Sequence, residues 1–343
     1  MFQHSRNGIQ HVRISAARNI PHLRSSLLRL QRRLFVAAPL ILLLLATWDI
    51  AVAQSVTGNL RAVSGDLNTA DGILPSPNTI YQTNFRSNTI EVFSLRGSDL
   101  GTFATPAHPT GLVFDDAGNL YVSSDSSAAY SILKFAPDGS FTVFANSGLN
   151  GPHALVFDTA GSLYVANARN RTIMKFNPDG VGTVFADRHD GLASPIDLAF
   201  DTAGNLYVSN FYGGSEGNGS VLKFTPDGVG SVFADSGFQG AYGLAFDRDG
   251  NLYVSNLNSN TIEKFSPTGV DLGVFASTGL NKPLGIMFDR FGNLYACNQG
   301  NSTIEKFSPT GDDLGVFAHT GGGPHFMTMS RSTATPTPTP SRN

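Results

Sequence analysis

The sequence is poor in cysteine and in charged residues, and both shortages limit what it can do. Its 343 residues contain one cysteine, Cys297, which excludes an intramolecular disulfide framework and any CxxC metal or redox site. Charged residues make up only 14% of the chain, which argues against a disordered or coiled-coil protein. Glycine and phenylalanine are plentiful, with 37 and 25 copies, and together they indicate a turn-rich chain with a large core.

Residues 1–53 have the features of an export signal. Residues 1–33 hold seven arginines and no acid, an apolar run follows from Leu34 to Trp48, and Ala51-Val52-Ala53 offers a cleavage site. The run is shorter than the roughly 20 residues that a membrane-spanning helix needs. We therefore expect export to the periplasm, the cell surface or the extracellular space. The Arg32-Arg33 pair leaves the twin-arginine and general secretory routes both open.

The charge of the remaining chain limits its partners. Without residues 1–53 it has 16 basic and 25 acidic residues, a formal net charge of −9. Nucleic-acid binding needs clustered lysine and arginine, so this charge argues against nucleic acid and against anionic membrane surfaces. We expect a monomer that does not insert into a membrane. Residues 54–74 are predicted to be a lead-in, and residues 331–343 a disordered Thr/Pro tail.

One unit of about 43 residues repeats six times across residues 75–330. Its Ile-Tyr or Leu-Tyr pair recurs at the following places: Ile80-Tyr81, Leu120-Tyr121, Leu163-Tyr164, Leu206-Tyr207, Leu252-Tyr253 and Leu294-Tyr295. Each unit contains strand a, a D-x-x-G-N turn, strand b, strand c, a turn that in most copies is Pro-x-Gly, and strand d. A period near 43 residues with four short strands is typical of a propeller blade.

The predicted fold class is therefore all-β, a six-bladed β-propeller with four-stranded blades. The first unit starts at strand b (Thr79–Asn84), and residues Pro324 to Met329 align with strand a of the other units. We expect this C-terminal strand to complete the N-terminal blade and close the ring. Phenylalanines occupy equivalent places in strands a, c and d, where they are expected to form the core between blades.

The two faces of the predicted ring differ in sequence. The a–b and c–d turns repeat almost unchanged, whereas the d–a and b–c loops on the opposite face vary. Variable loops on one face of a repeat protein usually carry the ligand contacts. The candidate ligand-binding residues are in two loops of this face: Arg188, His189, Phe211, Tyr212 and Glu216.

The second residue of each strand a is predicted to lie beside the central channel. From blade 1 to blade 6 this position holds His325, Thr110, His153, Ile196, Tyr242 and Leu284. His325, His153 and Tyr242 thus come from alternate blades. Converging imidazoles suit zinc, although polar filling of the channel mouth is the alternative interpretation. Asp197, beside Ile196, is a further candidate as a general base, a cation ligand or a loop cap.

The repeated pattern P-x-G-L-A-F-D-x-x-G-N-L-Y-V-S-N resembles NHL-repeat proteins and, more broadly, the six-bladed SMP-30/gluconolactonase and strictosidine-synthase-like superfamily. Gluconolactonase-type relatives hold a divalent cation with a Glu and several Asn or Asp residues. Amidating lyases of the NHL group hold zinc with three channel histidines. The resemblance thus implies a zinc or calcium ion in the channel, with Tyr242 in the place of the third histidine. The early Glu-Gly-Pro-x-Trp segment of gluconolactonases is absent.

Two functions are left open, because propellers of this superfamily include enzymes and binding scaffolds. The favoured hypothesis is an exported binding module, not an enzyme, whose d–a and b–c loop face recognises a protein, peptide or glycan. The alternative is a metal-dependent hydrolase or lyase at the channel mouth. In that case His153, His325 and Tyr242 would be the metal ligands, and Asp197 or Tyr242 would take the catalytic role.

Overall fold

A computed structural model describes residues 79–215 and 217–330, which form 24 strands and a single 3₁₀ turn, Arg188–Asp190. The strands of blades 1 and 2 are β1 (Thr79–Asn84), β2 (Thr89–Ser94), β3 (Asp99–Ala104), β4 (Pro109–Phe114), β5 (Leu120–Ser124), β6 (Ser131–Phe135) and β7 (Phe141–Ala145). Those of blades 3 and 4 are β8 (Pro152–Phe157), β9 (Leu163–Asn167), β10 (Thr172–Phe176), β11 (Gly182–Ala186), β12 (Pro195–Phe200), β13 (Leu206–Asn210), β14 (Ser220–Phe224) and β15 (Gly230–Ala234). Those of blades 5 and 6 are β16 (Ala241–Phe246), β17 (Leu252–Asn256), β18 (Thr261–Phe265), β19 (Asp271–Ala276), β20 (Pro283–Phe288), β21 (Leu294–Asn298), β22 (Thr303–Phe307) and β23 (Asp313–His319). The last strand is β24 (Pro324–Met329).

The strands form six antiparallel sheets of four, and each sheet is one blade of a propeller. In blades 2 to 6 the sheet order follows the chain, from strand a to strand d. Strand a of each blade contacts strand a of the next, so these strands line the central channel and strand d forms the outer edge. The predicted fold class is confirmed. No helix within residues 79–215 and 217–330 is long and apolar enough to span a bilayer.

The ring closes through the first and last strands of this range. β24 pairs with β1 to give the sheet order β24-β1-β2-β3, with Ile80 opposite Met329. Just beyond this pair, Ser330 N donates to the carbonyl of Thr79 at 2.9 Å, and Thr79 N donates to Ser330 Oγ at 2.9 Å. The predicted closure by a C-terminal strand a is confirmed. The predicted leader, lead-in and Thr/Pro tail lie outside the described residues.

An aromatic contact repeated around the ring joins each blade to the next. Tyr253 of strand b meets Phe275 of its own blade and Phe288 of the next edge-on, with ring centroids 4.8 Å apart in both pairs. The same pattern recurs at Tyr81, Tyr121, Tyr164 and Tyr207. Such pairs contribute about 0.5–1.5 kcal/mol beyond their buried area. The strand-c phenylalanines are buried as well, so the periodic phenylalanines do form the core.

A hydroxyl near the end of strand b makes a second link between blades. Ser255 Oγ accepts from Gly243 N at 2.8 Å in its own blade and donates to the carbonyl of Leu284 in the next at 2.6 Å. Three other blades make the corresponding link through Thr83, Ser123 and Ser209. Ala166 of blade 3 and the buried Cys297 of blade 6 stand at this position instead, so the junctions of blade 3 with 4 and of blade 6 with 1 lack the hydroxyl.

Replacing Ser255 with alanine should lower the free energy of unfolding by about 1–3 kcal/mol, because a buried N–H and a buried carbonyl lose their partner. Urea unfolding followed by circular dichroism measures the change. Ala166→Ser is the matched control, since it adds the hydroxyl to a junction that lacks it and should not reduce stability. Equal losses in the two variants would contradict the role of the hydroxyl.

A buried carboxyl group lies on strand c of blade 6. Glu305 is only 3% exposed and hydrogen-bonds Asp313 of strand d. Burial, with a further contribution from the charge and hydrogen bond of Asp313, raises the pKa of Glu305 to about 7. In an unfolded chain the same group ionises near pH 4.3, at its ordinary pKa. Ionisation of Glu305 therefore disfavours the folded state.

The contribution of Glu305 to the free energy of unfolding should fall as the pH rises from about 4 to 7, because over this range the unfolded chain has lost a proton that the folded chain still binds. Glu305→Gln should be more stable than the wild type by about 1–3 kcal/mol at pH 8 and no more stable at pH 5. Urea unfolding at both pH values measures this. Asp179→Asn, in an exposed turn, controls for the change in net charge. An unchanged pH slope in Glu305→Gln would disprove the assignment.

Candidate functional site

The channel mouth on the d–a and b–c loop face is built from two equivalent positions in every blade. One is the second residue of strand a, and the other is the residue that follows strand b. The residue that follows strand b is tied to the residue just before strand a, as where Asp125 N donates to the carbonyl of His108 at 3.0 Å. The residues that follow strand b, from blade 1 to blade 6, are Phe85, Asp125, Ala168, Phe211, Leu257 and Gln299.

Three of the side chains predicted to face the channel are in contact. His325 Nε2 and Tyr242 Oη lie 2.8 Å apart. The ring centroid of His153 is 5.4 Å from that of His325 and 6.3 Å from that of Tyr242. Tyr242 and His325 are buried, while His153 keeps a partly exposed edge. The structure thus brings the three together, and their role as metal ligands stays a prediction.

Burial sets the protonation of this cluster. It lowers the pKa of His153 to about 4, with the charge of Arg169 adding to the effect. It also holds the pKa of His325 well below its usual range, with His153 contributing. Burial, followed by the charges of Asp197 and Asp125, raises the pKa of Tyr242 well above 10. At neutral pH both imidazoles are therefore uncharged and the phenol keeps its proton.

The contact between Tyr242 and His325 is best satisfied when the phenol donates. His325 then accepts at Nε2 and carries its proton on Nδ1, an atom that is buried without a partner. If His325 donated instead, the buried phenol proton would also lack an acceptor among the described residues. The first arrangement leaves one unsatisfied group rather than two, and each such group costs about 1–3 kcal/mol.

An ion pair that was not among the sequence predictions borders the same mouth. Arg169 Nη2 donates to Asp125 Oδ2 at 3.3 Å. The carboxylate side chain is 8% exposed, whereas that of the arginine is 53% exposed. Within the described ranges, Asp125 Oδ1 and His153 Nδ1 are buried without hydrogen-bond partners. A blade-by-blade comparison of the residue after strand b, added to that of strand a, would have pointed to Asp125.

Aromatic rings complete the mouth. Phe85 stacks on His325 with centroids 5.8 Å apart, and Phe211 meets Tyr242 edge-on at 6.2 Å. Tyr212 lies 4.8 Å from Phe211 and is 60% exposed. Phe211 of the predicted binding face thus contacts the channel cluster, and Tyr212 extends it outwards.

The other predicted binding residues lie apart from this cluster. Arg188 and His189 are exposed in the 3₁₀ turn, which Asp187 caps by accepting from His189 N at 2.7 Å. Neither has a hydrogen bond or ring contact to the channel mouth in the described part of the chain. Glu216 lies outside the described residues. Their role in ligand binding stays a prediction.

Asp197 connects two blades. It lies within β12, so it is not a loop cap, and it is 7% exposed. Its Oδ1 accepts from Leu198 N at 2.8 Å and its Oδ2 from Leu244 N of the next blade at 2.7 Å. Burial raises the pKa of Asp197 to about 7, against the effect of these two hydrogen bonds. Because both oxygens serve the backbone, the geometry favours a structural role.

The cation site implied by the family resemblance can be compared with the donors present. Asn167 Oδ1 accepts from Asn150 N at 3.1 Å and its Nδ2 donates to the carbonyl of Gly148 at 2.9 Å, so this amide is used by a loop. The pattern repeats at Asn210, Asn256 and Asn298. No group of three or more His, Cys, Asp or Glu residues in the described ranges is placed to hold a metal ion.

These donors do not fit the implied ion. The carboxylates near the channel, Asp125 and Asp197, are engaged by Arg169 and by backbone N–H groups. Two imidazoles and a phenol that keeps its proton leave a zinc site incomplete.

Clefts on the opposite face belong to the repeat itself. One of about 410 Å³ lies between blades 3 and 4, and one of about 320 Å³ between blades 5 and 6. Each contains a lysine that pairs with the turn aspartate and lies over the strand-b tyrosine, as Lys175 does with Asp158 at 3.3 Å and Tyr164 at 4.9 Å. Because the same trio recurs from blade to blade, these clefts are weaker candidates for a specific site.

The family model of the SMP-30/gluconolactonase/LRE-like region matches residues 128–320, which is more than half of the chain. The chain belongs to this family. The resemblance to SMP-30/gluconolactonase proteins inferred from the repeats is thereby confirmed. No curated protein matches the sequence.

Solved structures similar to this family member share its fold at low sequence identity. A chain of a nidogen/laminin complex is 21% identical with a TM-score of 0.65, and the match covers 74% of this chain and 99% of that one. A putative gluconolactonase is 21% identical with a TM-score of 0.55, covering 66% and 86%. A gluconolactonase from Xanthomonas campestris is 19% identical with a TM-score of 0.57, covering 78% and 97%. At these identities the similarity shows the fold alone.

Replacing Tyr242 with phenylalanine should lower the free energy of unfolding by about 1–2 kcal/mol, because buried Nε2 of His325 loses its partner. Tyr212→Phe removes a hydroxyl from the exposed neighbour and should change stability by less than about 0.5 kcal/mol. Urea unfolding of both variants measures the two changes in the free energy of unfolding. A loss in Tyr212→Phe as large as that in Tyr242→Phe would disprove the role of the buried contact.

Proposed function

We propose that this chain is an exported binding protein that holds its ligand at the channel mouth of the d–a and b–c loop face. The observation that carries the proposal is the concentration of unpaired polar atoms there, beside an exposed guanidinium and aromatic rings. The ligand is either free or presented as part of a protein, peptide or glycan.

The unpaired atoms support binding because they are costly. Nδ1 of His153, Nδ1 of His325 and Oδ1 of Asp125 are all buried without partners in the part of the chain that the structure describes, at a cost of about 1–3 kcal/mol each. Such a concentration at one place calls for an explanation, and a ligand that pairs with the imidazole nitrogens is one. These atoms have almost no accessible surface, so the side chains would have to rotate before a ligand could hydrogen-bond them.

Other features agree with this role. The leader predicted over residues 1–53 supports export, and the net charge of −9 that remains supports a partner other than nucleic acid or an anionic membrane. The similar chain in the nidogen/laminin complex belongs to a protein–protein assembly, which supports binding by analogy of fold.

A metal-dependent hydrolase or lyase is the second candidate. Membership of the SMP-30/gluconolactonase family and the two gluconolactonase structures favour it. The donors at the mouth do not favour it, because Asp197 and the asparagines serve backbone groups and Asp125 is paired with Arg169. This candidate therefore ranks below binding.

Metal analysis of the purified protein separates the two functions. We expect less than about 0.1 zinc or calcium ion per chain, and no change in His153→Ala/His325→Ala, because two imidazoles alone bind these ions weakly. His319→Ala, an exposed histidine, is the control. About one zinc per chain that is lost in the double variant would overturn the proposal and direct substrate screens to lactones and peptides.

For the binding function, deletion of residues 211–219 should abolish ligand affinity.

A further inference from the structure

We propose that the ligand of the channel mouth is an amphipathic monocarboxylate, with its carboxylate at Arg169 and its apolar body against Phe211 and Leu257. This inference rests on the proposed function, because it specifies the ligand of the same site. The reasons are the division of the mouth into two halves and the charge that each half exposes.

The mouth has a polar and an apolar half. Blades 1 to 3 supply a half that is polar except for Phe85 and Ala168: His325, Thr110, His153, Asp125, Arg169, Phe85 and Ala168. Blades 4 to 6 supply a half that is apolar except for Gln299 and the Tyr242 hydroxyl: Ile196, Phe211, Tyr242, Leu257, Leu284 and Gln299. That hydroxyl is directed at His325 in the polar half. A ligand that covers both halves needs an apolar body and one polar head.

The charge that the polar half offers to a ligand is positive. The carboxylate of Asp125 is buried and already accepts from Arg169, whereas the guanidinium is largely exposed. One guanidinium N–H binds Asp125, and the others have no hydrogen-bond partner within residues 79–215 and 217–330, so they can donate to a ligand. His153 and His325 are uncharged at neutral pH and do not compete. A cationic head would meet the guanidinium before it met the buried carboxylate.

A carboxylate fits this geometry better than other polar heads. The guanidinium fork matches a carboxylate with two parallel hydrogen bonds. Because Asp125 already balances the charge of Arg169, a singly charged head is tolerated better than a doubly charged phosphate. A sugar would leave hydroxyls unpaired against Ile196, Phe211 and Leu257, which costs free energy for each buried group.

Four small probes that share a body or a head test the proposal on the purified full chain at pH 7. Phenylacetate carries the proposed head and body, phenylacetamide and phenethylammonium change the head, and gluconate replaces the body by a polyol. Saturation-transfer and chemical-shift titrations measure the affinities. We expect phenylacetate to bind at least about tenfold more tightly than each of the others.

Matched variants locate the two ends of the probe. Arg169→Gln should weaken phenylacetate at least about tenfold and leave phenylacetamide unchanged, whereas Phe211→Ala should weaken both. Arg171→Gln, an exposed arginine of the same loop, should change neither. Circular dichroism checks that each variant is folded, and Arg169→Lys, which keeps the charge without the fork, should retain part of the affinity.

The outcomes distinguish this inference from the function beneath it. Tighter binding of gluconate than of phenylacetate, with shifts of the His153 and Tyr242 ring signals, would overturn the amphipathic ligand and leave the proposed binding function standing. Equal affinities for phenylacetate and phenylacetamide would overturn the carboxylate. If no probe shifts these ring signals at about 10 mM, the inference and binding at the channel mouth are both contradicted.

Discussion

The structure depends on one constraint, which is that a four-stranded blade cannot bury both of its faces alone. The contact of each strand-b tyrosine with one phenylalanine in its own blade and one in the next solves this at five junctions. At the sixth junction, Met329 stands where the other blades have the second phenylalanine. The packing requires closure, because an open ring would expose two aromatic faces to water. The pairing of β24 with β1 follows from the same requirement.

The stability of the ring lets its loop face vary. Turns of the D-x-x-G-N type form their own internal hydrogen bonds. In one of them, Asp247 accepts from the backbone N of Asn251 at 2.9 Å and from the side-chain Nδ2 of Asn251 at 2.8 Å. The strand-b asparagines hold the d–a loops in the same way. The channel mouth can therefore retain buried groups without partners, such as His325 Nδ1 and Asp125 Oδ1, while the blades remain intact.

The fold could be predicted from the sequence because it follows from a repeat. The period placed β1 and β24, and comparison of one strand-a position brought His153, His325 and Tyr242 together. The contact between Arg169 and Asp125 could not be predicted in this way, because a side chain of blade 3 reaches across to blade 2. The two hydrogen bonds that Asp197 accepts could not be predicted either, since one of them comes from an N–H of the next blade. Repeat patterns predict backbone positions, whereas these contacts depend on side-chain direction.

The missing hydroxyl links at Ala166 and Cys297 divide the ring evenly. The two junctions without a hydroxyl are three blades apart, so blades 1 to 3 and blades 4 to 6 are each joined internally by hydroxyls, while the half-rings meet without them. The same division separates the polar from the apolar side of the channel mouth. A molecule that lies across the mouth would therefore contact both half-rings and join them where the hydroxyl links are missing.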